Sequence, residues 1–114
     1  HVMTIQYKNE TFSLANTAVT SVFTCPTSGT CIVKAVDIAN DHSGDVLVKG
    51  SVTPSGGSAI QFFIKTLTTD TSNSAINNVL NLEGGDAINF EASVGGVITG
   101  VISYALIDRS QENG

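Results

Sequence analysis

Turn residues break this chain into short apolar stretches about every ten positions, and within each stretch apolar side chains alternate with polar ones. A period of two puts one set of side chains on one face of an extended strand, which is the pattern of half-buried strands and not of amphipathic helices. Ile5 and Tyr7 share a face of the first strand, with Phe12 and Leu14 extending or following it. A second strand is predicted near 18–25, with Val19 and Phe23 on one face, ended by Pro26-Thr27-Ser28-Gly29. A third follows near 31–39, before the turn Asn40-Asp41-His42-Ser43-Gly44. Val46, Val48 and Val52 mark the core face of the next strand, and Ile60, Phe62 and Ile64 that of the one after Pro54-Ser55-Gly56-Gly57.

The polar stretch 68–73 is the longest loop expected, and 76–82 resumes extended structure up to the turn Glu83-Gly84-Gly85-Asp86. Ile88, Phe90, Ala92 and Val94 form another one-sided strand, joined by Gly95-Gly96 to a final strand over 97–107. No helical periodicity lasts three turns. About eight short strands at this spacing imply an all-β fold, an antiparallel two-sheet β-sandwich of jelly-roll type. Residues 1–2 read as an expression-tag remnant before Met3, 3–108 as one β-sandwich domain, and 109–114 as a polar C-terminal tail.

The last strand breaks the one-sided rule. Its odd positions carry Val97, Val101, Ala105 and Ile107, and its even positions Ile98, Ile102, Tyr104 and Leu106. A strand apolar on both faces must be covered on both. Either a loop lies over the outer face, or that face joins a subunit interface, for which Ile98, Ile102, Tyr104 and Leu106 are the candidates.

Charge excludes some partners. Only 13% of residues are charged, and the 5 Lys and Arg against 10 Asp and Glu leave a net charge of −5. Scattered single cations do not hold a phosphate backbone or an anionic membrane surface, so neither nucleic acid nor membrane is an expected partner. No apolar run approaches the ~20 residues that span a bilayer. The N-terminus lacks signal-peptide regions, so a chain starting at Met3 would be made in the cytoplasm.

No catalytic constellation is assembled in the sequence. His42 lies in a turn composition, without the nucleophile and orienting carboxylate that a triad requires. Cys25 and Cys31 flank a five-residue loop. Residues facing each other across such a hairpin can form a disulfide, remain free thiols, or contribute to a metal site that would still lack ligands. Asp37, Asp41 and Asp45 surround one turn and could offer oxygens to calcium, although Asp is common in turns because it bonds its own backbone. No cofactor is expected, and no enzyme activity.

Three stretches carry a family resemblance. Val22-Phe23-Thr24-Cys25-Pro26 is followed by Thr30-Cys31-Ile32-Val33-Lys34-Ala35-Val36-Asp37-Ile38-Ala39-Asn40. Leu80-Asn81-Leu82-Glu83-Gly84-Gly85-Asp86-Ala87-Ile88 and the closing Ile102-Ser103-Tyr104-Ala105-Leu106-Ile107 complete the set. In this order they resemble small β-sandwich virion proteins of tailed bacteriophages, from which Cys25 and Cys31 depart. The resemblance implies a non-enzymatic virion protein that decorates the head or forms part of the neck or tail. It also implies self-association as a homo-oligomer, a trimer by analogy, and contact with other virion proteins such as the major capsid protein. The alternative is a carbohydrate- or cell-surface-binding β-sandwich, which the absence of Trp and the two Tyr residues make less suited to a sugar platform.

Overall fold

The computed structural model describes residues 4–76 and 79–108, so the expected tag remnant at 1–2 and the tail at 109–114 lie outside the described residues. Among the described residues, nine strands carry the fold: β1 (Thr4–Leu14), β2 (Thr20–Thr24), β3 (Gly29–Asn40), β4 (Val46–Thr53), β5 (Ile60–Leu67), β6 (Ser72–Ile76), β7 (Leu80–Leu82), β8 (Ala87–Ala92) and β9 (Ile98–Asp108). The described residues contain no helix. Every strand pairing is antiparallel.

The pairings are nested like those of one long hairpin. β4 pairs with β5, β3 with β6 and β7, β2 with β8, and β1 with β9. Rolling that hairpin over itself sets β9 against β3 and β8 against β4. The result is two facing sheets, β1-β9-β3-β6 with β7 also on β3, and β2-β8-β4-β5. This is the jelly-roll arrangement. β6 and β7 occupy successive lengths of β3, so nine strands fill eight positions.

Alternation decides what lies between the sheets. Val33, Val36, Ile38, Val46, Val48, Ile88, Phe90, Ile98 and Ile102 are all buried in the core. Fully burying such an aliphatic or aromatic side chain stabilises by about 1.5–3 kcal/mol. Polar groups drawn inside are satisfied. Asn40, 2% exposed, donates from Nδ2 to the carbonyls of Gly44 (3.1 Å), Leu67 (3.0 Å) and Thr68 (3.1 Å), tying the end of β3 to the β5–β6 connection.

Three expectations are corrected. The loop expected over 68–73 is shorter, because Ser72 and Asn73 enter β6 and pair with Ala39 and Ile38. Ile60, Phe62 and Ile64 are not a buried face: they are 61%, 36% and 59% exposed. β5 is the outer strand of its sheet, and a register shift opposite Gly50/Ser51 interrupts its alternation. The third correction concerns β9. Ile98 and Ile102 are fully buried, Tyr104 is 7% exposed, and Leu106 packs against the same core. The even face of β9 is therefore the chain's own interior and no subunit surface. The physical reason is its central place between β1 and β3, where the even side chains are the ones aimed at the opposing sheet.

Candidate assembly surface

With its even residues inside, β9 turns Val101, Ala105 and Ile107 outward. Across β1 they stand opposite Thr11, Tyr7 and Ile5, and across β3 opposite Asp37, Ile32 and Thr30. Tyr7 is 73% exposed, Ile5 53% and Val101 42%. The Lys34 ammonium sits 4.3 Å from the centre of the Tyr7 ring. An exposed cation–π contact of this kind is worth about 0.5–1 kcal/mol. Ala105, opposite Tyr7, is buried at its base. The two-faced character of the last strand was legible in the sequence. Which face looks out was not, because both parities carry large apolar groups.

A second apolar surface runs along β5, where Ile60, Phe62 and Ile64 are exposed. Among the described residues, β1 and β5 are terminal strands of the two sheets, each with one edge bearing no further strand. Sequence reasoning placed the β5 side chains inside because it could not see the edge position.

Some of the polar residues noted in the sequence shape turns. The His42 backbone N–H donates to Asn40 Oδ1 at 2.9 Å, a bond that shapes the turn. The Asp86 carboxylate accepts from the backbone N–H of Ser55 (2.8 Å) and of Glu83 (2.9 Å), closing the turn expected there. Among the described residues, no group of three or more His, Cys, Asp or Glu is placed to hold a metal ion.

Cys25 and Cys31 do come together. Both are fully buried free thiols. Cys25 Sγ lies 3.7 Å from each of the carbonyl oxygens of Pro26, Gly29 and Leu82, within reach of a weak thiol hydrogen bond. The Cys31 thiol is pushed up to about 12, first by burial and then by its hydrogen bond to Cys25 and that group's charge. Such a thiol is a poor nucleophile at neutral pH. Tyr104 is also raised, by burial and then by the nearby Glu10 charge.

The concave surfaces are shallow. One lies among Thr17, Leu47, Lys49, Glu91 and Ser93, and another beside Gly100 among Thr11, Asp37, Ala39, Thr99 and Val101. Neither contains a His or a Cys to pair with its hydroxyl groups.

No family model matches the chain, and no curated protein matches it in sequence. Solved structures do match in fold. A chain in the cryo-EM structure of the giant freshwater prawn Macrobrachium rosenbergii extra small virus VLP superposes with a TM-score of 0.57 at 9% identity, covering 96% of this chain and 81% of that one. A chain in the acidic stable capsid structure of Helicobacter pylori bacteriophage KHP30 gives 0.53 at 13% identity, covering 93% and 89%. A chain in the structure of infectious bursal disease virus Gx strain gives 0.56 at 13% identity over 94% of this chain. This chain spans only 32% of the length of that one. At these identities the likeness is one of fold: this chain is a β-sandwich of the kind that occurs in virus particles.

Proposed function

We propose that this protein is a non-enzymatic structural component of a virus particle that works by packing against copies of itself. The observation that carries this reading is the extent of the fold match. The jelly roll covers 89% of a bacteriophage capsid-structure chain and 81% of a VLP chain, so little of either is left for an appended catalytic domain. The buried thiols of Cys25 and Cys31 agree, since both lie in the core, and Asp86 agrees too, since its carboxylate closes a turn. Within this reading, the resemblance to tailed-phage proteins assigns the chain to head decoration, neck or tail. It also assigns a trimeric homo-oligomer and contact with the major capsid protein. The outward side of β1 and β9, with Ile5, Tyr7 and Val101, supplies an apolar contact surface.

The experiment is gel filtration with light scattering and negative-stain electron microscopy of the purified protein, followed by immunogold labelling of intact particles. Trimers or larger particles, and label on the virion, are expected. A monomer at about 100 μM, a concentration that populates even modest affinities, together with unlabelled virions would remove the proposal. The carbohydrate alternative finds less support: Tyr104 is buried, and a lysine already covers the Tyr7 ring.

A further inference from the structure

β1 leaves an unusually bare sheet edge. It is 11 residues long, it pairs with β9 from Thr4 to Leu14 without a register shift, and among the described residues no strand lies on its other side. All its residues from Ile5 to Thr11 are exposed. Proteins normally blunt such edges with proline, bulges, short strands or charges, inward-pointing ones included, and of these β1 has only a pair of opposite sign. β1 has no proline, no glycine and no bulge. Its charges are Lys8 and Glu10, which share a face and flank Asn9.

We infer that β1 pairs antiparallel with β1 of a second copy of this chain, about a two-fold axis at Asn9, joining two copies of sheet β1-β9-β3-β6 into one. Asn9 is the midpoint of Thr4–Leu14, so this register pairs the whole strand with itself. The same register puts Lys8 of each copy directly opposite Glu10 of the other. Sliding by two residues in either direction sets Lys8 against Lys8 or Glu10 against Glu10, and like charges directly opposite are destabilising. Sliding by one turns the second copy's core side to the other face of the sheet. Full overlap and charge complementarity therefore select one register. Tyr7 falls opposite Thr11, and Ile5 opposite Ser13. On the core side the edge is uncovered over Gln6, Lys8 and Glu10, which leaves room for the second copy. β5 is the other long exposed edge, but Lys65 is its only charged residue, so a two-fold pairing there gains no opposite charge.

This inference rests on the self-association proposed above and names a contact between trimers, because a two-fold pairing cannot be a contact within a ring of three. The test combines crosslinking with charge exchange on the full chain. Asn9→Cys places two thiols opposite each other at about 4.5–5.5 Å between Cβ atoms, close enough to bridge with a small adjustment. Mild oxidation should give a covalent dimer. Cys25 and Cys31, both 0% exposed, do not compete. Ser13→Cys, whose two copies would lie about 26 Å apart along the strands, should not crosslink. In sedimentation, Lys8→Glu and Glu10→Lys should each weaken dimerisation by about tenfold, and the double exchange should restore it. Particles whose formation ignores the charge variants, with no crosslink at position 9, overturn the β1 pairing and leave the particle reading standing. A charge-dependent dimer that builds nothing larger supports the pairing and overturns the particle reading. A monomer that neither crosslinks nor assembles overturns both.

Discussion

Phe90 holds the middle of the sandwich together through three other rings. Phe12 from the facing sheet stacks on it at 5.4 Å and 13°, while Phe62 and Phe63 approach edge-on at 6.1 and 6.4 Å. The glycines beside these rings follow from them. A Cβ at Gly50 would lie 2.7 Å from the Phe90 ring, and one at Gly100 would overlap Phe12. Phe90→Ala should therefore destabilise by about 3–5 kcal/mol, the range for a buried aromatic truncated in a core that cannot collapse. Urea unfolding measures it, and a loss under about 1 kcal/mol, the scale of an ordinary substitution, would contradict the cluster. A second residue-scale prediction concerns pH. The folded state keeps the Cys31 proton up to about 12, well above the usual thiol range near 8.5. Between those values the unfolded chain has lost a proton that the folded chain still binds. The contribution of Cys31 is thus fully present below about pH 8.5 and is lost as pH rises towards about 12. Denaturation midpoints measured across that window should fall with pH for the wild type and fall less for Cys31→Ala.

At the scale of elements, β9 and β5 carry the tests. Adjacent residues of β9 should respond in opposite ways, because Ile102 is fully buried and Val101 is 42% exposed. Ile102→Asp places a carboxylate in the core, where burial without a partner costs several kcal/mol, so the circular dichroism spectrum should be that of an unfolded chain. Val101→Asp should fold with the wild-type spectrum. Equal behaviour of the two would mean that the faces of β9 are wrongly assigned. On β5, Ile64 is 59% exposed on an unpaired edge. Ile64→Lys should change stability by no more than about 0.5 kcal/mol while raising the concentration at which the protein stays clear on heating, since charge on an edge opposes strand addition.

At the scale of the whole molecule, nesting brings the two ends of the described chain together as neighbouring strands β1 and β9. Only the β4–β5 pair is local, and every other closure spans a longer loop. Folding dominated by such non-local pairing runs in about milliseconds to seconds. Stopped-flow refolding should fall in that range, and a microsecond relaxation would contradict the nested order. The long β1, β3 and β9 strands also account for the elongated shape, 53 × 26 × 22 Å.

The all-β class and most strand and turn positions were set by the sequence alone, because alternation and turn chemistry are local properties that need no partner. The pair β6 and β7 in place of one strand expected over 76–82 was not. The bends at 26–29, 40–44 and 83–86 lie where Pro, Gly, Asn and Asp cluster. The approach of Cys25 and Cys31 across a short loop was legible in the same way. Tertiary structure alone decided which strands are edges and which face of a two-faced strand is inside. Ile60, Phe62 and Ile64 read as core in one dimension and are surface in three, since β5 closes no further pairing. Ile98, Ile102 and Tyr104 read as an interface and are core, since burial depends on where the opposing sheet lies. Nor could any local pattern assign Asn40 the carbonyls of Leu67 and Thr68, which arrive from 27 and 28 positions further along the chain.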